Sequence, residues 1–569
     1  MSDRIALKQA LDDAWAELSS SVFTAQSLGQ AIVRMPDVSE AAARARSQRA
    51  ERWLDRAAKI DPASLSDDDA LTLAVATQAM ARRAREFDIY WLAFDPLGVG
   101  FFALFAPSAY GGGWMLNYVG GMLGRHKFDQ PGDLDRYLEQ IDGYAGLVRQ
   151  LDDRTVGQAA RGIRMPIPQL EQSIELFGRL KNAATATLTP AAERLAAIGE
   201  DAASAIGARI DAAVLPAFDQ LLATLRDPEY RMAAPKDVGI GQYPGGGALY
   251  RELVRLHTTL DLSAEDIHAE GLRRMDAIRN AMEALMQEAG FAGTPAEYFA
   301  AINADPAWRA NDAEGIATFF RRYIDRIAPH IGAYFDFKPA APHDAEPLPA
   351  ALSASMTFGY YEAPSSGQPA GRYLFNAENL RNNGLCNIAA LNYHELVPGH
   401  HFHLALQQEN TTLHPLRKHA FVNAFNEGWA EYAATLAGEM GMYQTREEQF
   451  GRLMMDAFLT CRLVVDTGMN ALGWSLEQAR DYMRANAFMP EPEIRSESIR
   501  YSCDMPGQAL AYKIGEHFLI ARREAMQTRL ADRFDIRKFH DVVLKPGALP
   551  LSIAAQNIER ATVACEQTG

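Results

Sequence analysis

Apolar residues recur three and four positions apart along most of this chain, the spacing of helices that turn one face inward. In 191–215 they fall at Leu195, Ile198, Ala202, Ile206 and Ile210. Ser263 followed by Asp266 predicts a capped helix start, with the stripe Met275, Ile278, Met282 and Leu285 behind it. Proline and glycine cluster in RDPEYRMAAPKDVGIGQYPGGGALY (226–250) and divide a helical N-terminal region, 1–230, from a second region, 231–569. Within the latter, 336–369 is proline-rich and loses the helical period. There ALSASMTFGYY (351–361) and GRYLFN (371–376) read as two short strands joined by APSSGQPA. From Leu391 the helical pattern returns almost to the end, and no internal repeat is visible. The predicted fold is mainly α, a large helical protein with a small β element.

Composition narrows the class. The 569 residues are 48% hydrophobic and 22% charged, and 56 basic against 72 acidic residues give a net charge of −16. That balance argues against nucleic acid or an anionic membrane as partner. The start, MSDRIALKQALDDAWAEL, has acids where a leader needs a basic, then apolar, run. The most apolar stretch, Tyr90 to Pro107, is broken by Asp95, Pro96, Gly98 and Gly100. Four cysteines, at 386, 461, 503 and 565, form no CxxC pair. A cytoplasmic protein is expected.

Histidines supply the first chemical signal. Six of the 13 lie between 394 and 419, four of them in HELVPGHHFH (394–403). Imidazoles beside carboxylates suit zinc. In HExxH, two histidines one turn apart share an ion while the glutamate handles a water. Here the next histidines are six and seven residues on, and Pro398 cannot continue a regular helix. A local bulge at Pro398–Gly399 would bring His400 to the second-ligand position, with His401 as the alternative.

Local resemblances extend the reading. GHHFH (399–403) is similar to the GHALH that ends the zinc motif of thimet-type oligopeptidases, which implies His400 as ligand. NEGWAEY (426–432) resembles the NEGFAEY of zinc aminopeptidases, which implies Glu427 as third ligand. Glu431, four residues on, then suits a group that orients a ligand histidine. IRY (499–501) resembles the segment that carries the catalytic tyrosine in angiotensin-converting enzymes, implying that Tyr501 stabilises an oxyanion, with Tyr512 in reserve. Five segments together resemble the bacterial domain-of-unknown-function 885 family, a zincin-like group: YPGGGALYRELVRLHTT (243–259), HELVPGHH, NEGWAEY, CRLVVDTGMNALGWS (461–475) and RYSCDMPGQALAYKIG (500–515). Asn470 stands where that resemblance leads one to expect histidine. The resemblance implies one family-wide fold with a cleft between the two regions.

The expected activity is a zinc-dependent hydrolase of peptide bonds. His394, His400 and Glu427 would hold Zn2+, and Glu395 would act as general base on a metal-activated water. Tyr360 lies on a strand suited to pairing with an extended substrate. Arg372, Arg500 and Lys513 outnumber the uncommitted acids, which favours short peptides held by the C-terminus, as in a carboxypeptidase or dipeptidase. A non-peptide amide or ester substrate, or a silent helical binding protein, are the alternative readings. The chain lacks a GxSxG elbow, a GxxxxGK loop and a GxGxxG between strand and helix.

Overall fold

Helices make up most of the computed structural model, which describes residues 2–32, 34–195, 201–349, 359–365 and 368–567. A three-stranded sheet completes the described structure. The chain divides into two units. Unit 1 is Met1–Leu253 with Met469–Leu476 and Glu497–Pro506; unit 2 is Val254–Gly468 with Glu477–Ser496 and Gly507–Gly569.

In unit 1 the stripe of 191–215 continues further than its spacing first suggests. A helix at Ala202–Arg209 runs through a wide π-helical turn, Ile210–Val214, into Leu215–Arg226. Ile206, Ile210, Val214, Phe218, Leu221 and Leu225 are all buried along it. Ile198 lies outside the described residues. Elsewhere in the unit Asn470 ties two loops together: its amide donates to the Tyr501 carbonyl (2.8 Å) and accepts from the Ile240 N–H (3.0 Å). The position expected to hold a histidine thus carries a backbone clasp, for which a two-sided amide is well suited.

In unit 2 the Ser263 hydroxyl accepts from the Asp266 N–H at 3.0 Å and starts the helix Ala264–Glu288, whose four stripe residues are buried. The sheet has the order β1-β3-β2, where β1 is His343–Pro347, β2 Gly359–Glu362 and β3 Gly371–Phe375. β3 is the middle strand, parallel to β1 and antiparallel to β2. The second predicted strand is β3. Of the first, only 359–361 falls in β2, and 350–358 lie outside the described residues. β1 has no apolar alternation in HDAEP and was not expected.

Two helices of unit 2 meet backbone to backbone. Asn423–Glu439 crosses Ala511–Leu530 at a pair of glycines: a Cβ on Gly428 would lie 2.4 Å from the Gly515 Cα. A side chain at either position would force the helices apart. This contact sets Glu427 and Glu431, on the first helix, against the elements that carry the other polar groups described next.

Candidate metal centre

The helix Ile388–Glu395 stops one residue after His394, and the helix Ile388–Glu395 is followed by a new one that begins at His400 and ends at Glu409. Leu396–Gly399 form the turn between them, with a cis Val397–Pro398 peptide bond. The break is therefore wider than a bulge: two helices meet at the motif, each contributing one histidine. Gly399 has φ −79°, so left-handed backbone is not what requires glycine. The requirement is proximity, since a Cβ there would lie 1.8 Å from the His394 carbonyl oxygen. The buried Trp429 pins the turn by donating its Nε1–H to the Pro398 carbonyl at 2.9 Å.

This arrangement gathers His394, His400 and Glu427, whose donor atoms all lie within 4.8 Å of one another. Glu427 Oε2 is 3.7 Å from His394 Nε2 and 3.3 Å from His400 Nε2. Two donors about 2.1 Å from a shared tetrahedral ion lie roughly 3.4 Å apart, so the spacing fits zinc. The three side chains keep 8, 12 and 15% of their surface exposed, so the cluster is reachable from outside. Three donors are gathered here, one fewer than the four that close a structural zinc site.

Charge around the cluster favours a cation. Burial alone would lower the His394 pKa, but the Glu431 hydrogen bond, followed by the charges of Glu431, Glu395 and Glu427, lifts it to about 9. Burial pushes the Glu395 carboxyl up, against the pull of His394 and His400. Glu427 is held below the usual carboxylate range by His400 and His394, which outweigh its burial. Glu431 is likewise held below the usual carboxylate range: Oε1 lies 2.7 Å from His394 Nδ1, and Oε2 lies 3.3 Å from Arg452.

Behind Glu431 runs a chain of buried charges. Arg452 also reaches Glu516 (3.6 Å), and Lys513 pairs with Glu516 and with Asp456 (2.5 Å). Lys513 is 2% exposed and committed to these acids, so it belongs to this chain. Arg372 is likewise held between Glu346 (3.0 Å) and Glu362 (2.6 Å) across the sheet. Arg500, in unit 1, pairs with Glu497 at 3.4 Å. Each of the three cations thus has a carboxylate partner.

His401 faces away from the cluster. Its Nε2 is 3.2 Å from the Ala341 carbonyl and its Nδ1 2.8 Å from the Tyr361 hydroxyl. The carbonyl can only accept, so Nε2 carries the proton and Tyr361 donates to Nδ1. Burial, and then His343, lower its pKa to about 3. Tyr360, next to Tyr361 on β2, donates to Glu362 at 3.4 Å. The Tyr512 ring lies parallel to that of His394, 6.3 Å away, under the Arg462 guanidinium at 4.7 Å. Tyr501 is fully buried in unit 1, where its hydroxyl donates to Glu497.

The sequence profile of a family described as a bacterial protein of unknown function (DUF885) matches residues 23–558. The chain belongs to that family. No curated protein matches it. Among solved structures it is similar to a protein of Colwellia psychrerythraea, provisionally described as a lipoprotein, with TM-score 0.86 and 22% identity over 99% of this chain and 100% of that one. A protein of unknown function from Shewanella oneidensis, also provisionally described as a lipoprotein, gives 0.73 and 16% over 98% and 99%. At these identities the family shares its fold with both, and the likeness goes no further. No helix among the described residues is long and apolar enough to cross a membrane.

The sequence reading did not single out His403, Arg452 or Arg462. His403 sits one turn after His400 and was visible as part of a histidine-rich motif. Arg452 and Arg462 had no comparable signal, because Glu431 and Glu516, which Arg452 meets, and Tyr512, which Arg462 covers, lie on other helices.

Proposed function

We propose that this chain is a zinc-dependent hydrolase of peptide or closely related amide bonds, built on a zincin-like arrangement. One observation carries the reading: two imidazoles and a carboxylate converge within 4.8 Å, each from a separate helix, with Glu395 next in sequence to His394. His394, His400 and Glu427 would hold the ion, which when bound would polarise a carbonyl and acidify a water. Glu395, with its carboxyl raised by burial, is suited to take a proton from that water and return it to the leaving amine. Glu431 orients His394. Tyr501 gives its hydroxyl to Glu497 within unit 1, so the oxyanion role passes to the reserve candidate Tyr512, whose ring lies 6.3 Å from that of His394, and Tyr512→Phe tests it.

A preference for short peptides held by the C-terminus, as in a carboxypeptidase or dipeptidase, remains the finer reading, although Arg372, Arg500 and Lys513 are paired with acids; matched peptides with free and amidated C-termini test it. On location, the cytoplasmic expectation stands against the provisional description of both solved neighbours as lipoproteins, which favours export or a lipid anchor. Fractionation of the native host separates these two.

The test of the activity is a peptide-library digest read by mass spectrometry, with metal content measured on the same preparation. About one zinc per chain with cleavage that a chelator abolishes supports the reading. Bound zinc without any peptide turnover removes the peptidase assignment, and a chain that takes up no zinc removes the hydrolase assignment altogether.

A further inference from the structure

The two histidines of the cluster differ in what stands behind them. His394 turns Nε2 toward Glu427 and has the Glu431 carboxylate 2.7 Å from Nδ1. His400 also turns Nε2 toward Glu427, but its Nδ1 faces another imidazole, His403 Nε2, at 3.4 Å. His403 is 3% exposed, and its ring meets Phe425 edge-on at 6.1 Å. Its other nitrogen, Nδ1, is buried and has no hydrogen-bond partner among the described residues. An orphaned buried polar atom costs about 1–3 kcal/mol, so a histidine here needs a reason that a leucine or phenylalanine would not meet.

The reason lies in the tautomers. A ligand histidine gives the lone pair of one nitrogen, so its proton must sit on the other. For His400 that proton is on Nδ1 and needs an acceptor. The group in reach is His403 Nε2, which accepts only when His403 keeps its own proton on Nδ1. The orphaned atom is then the donor that this tautomer leaves over. We propose that His403 is a positioning residue for the metal centre: its Nε2 accepts the Nδ1 proton of His400, fixes the ring with Nε2 toward Glu427, and makes His400 a weaker donor than carboxylate-backed His394. An imidazole acceptor at 3.4 Å polarises an N–H less than a carboxylate at 2.7 Å. This inference rests on the zinc reading given above.

The experiment compares full-length parent, His403→Phe and His403→Gln. Phenylalanine keeps the ring volume and removes the acceptor; glutamine keeps an acceptor oxygen. Zinc affinity is read by competition with a chromophoric chelator, and ligand geometry by the visible spectrum of the cobalt(II)-loaded chain. Circular dichroism confirms folding, and His403→Leu replaces the Phe variant should that chain not fold. The Phe variant is expected to bind zinc about 10–100-fold more weakly with altered cobalt bands, the Gln variant to stay near the parent. Glu431→Gln, measured alongside, is expected to cost more than His403→Phe. Parental affinity and spectrum in the Phe variant, or a Gln variant as weak as Phe, overturn the proposal while leaving the zinc reading in place. A larger loss for His403→Phe than for Glu431→Gln overturns the ranking of the two donors. A parent that binds neither metal overturns the zinc reading and this inference with it.

Discussion

Glu431 places Oε1 2.7 Å from Nδ1 of His394, and Trp429, two residues earlier on the same helix, holds the Pro398 carbonyl at 2.9 Å. One helix therefore orients the His394 ring and fixes the turn that leads to His400. Replacing Glu431 by Gln keeps the volume and removes the charge that balances both His394 and Arg452. Zinc affinity is expected to fall about 10–100-fold in a chelator competition titration. An unchanged affinity would assign Glu431 to the buried ion chain alone.

Binding and chemistry are expected to separate at Glu395. Glu395→Gln should retain zinc at parental stoichiometry and lose about 10²–10⁴-fold in turnover, because an amide cannot take the proton. Metal analysis and initial rates on the same preparation check this. Equal turnover would move the general base elsewhere.

Gly428 makes a packing prediction with a functional consequence. In Gly428→Ala the new methyl would lie 2.4 Å from the Gly515 Cα, backbone against backbone, with no flexible side chain to yield. The expected cost is about 1–3 kcal/mol or more, read as a lowered Tm of the metal-free protein. Because Glu427 is the adjacent residue, zinc occupancy should fall in the same variant. A parental Tm would show that the two helices can slide.

In unit 1, burial pushes the Asp504 carboxyl up to about 6, although the Ser108 hydroxyl and the Tyr110 N–H both donate to it. The folded chain therefore holds this proton in a range where the unfolded chain, near the ordinary aspartate value of 3.8, has lost it. The contribution of this group to stability is largest at low pH, and is lost as pH rises between those two values. Asp504→Asn removes that dependence. Unfolding free energies of parent and variant from pH 4 to pH 7 should diverge in favour of the variant as pH rises, and parallel curves would refute the assignment.

The features legible from sequence were the local ones. Pro398 announced a break, the six-residue step from His394 to His400 defined what the break had to achieve, and Ser263 marked a helix start. Lys513 shows where that reading stops. Helical spacing gives a residue's face, but not what packs on that face, and Lys513, with Glu516 one turn on, reads as a solvent-facing pair until Asp456 arrives from another helix. β1 escaped for a related reason, since HDAEP becomes a strand only by hydrogen bonding to β3, which follows it in sequence. His403 was in view within its motif, but the partner it makes for His400 depends on where the second helix begins.

The division into units also dictates an order of events on the ribosome. Unit 1 is not complete at Leu253, because Met469–Leu476 and Glu497–Pro506 belong to it as well. Asn470 supplies the amide that holds Ile240, and Asp504 the carboxylate that receives Ser108. These partners are synthesised more than two hundred residues after the loops they secure. The amino-terminal half must wait, incompletely closed, until most of the polypeptide has emerged, so a fragment ending near residue 253 is expected to be protease-sensitive and a chaperone client. Supplying 469–506 in trans, or by circular permutation, is the natural remedy.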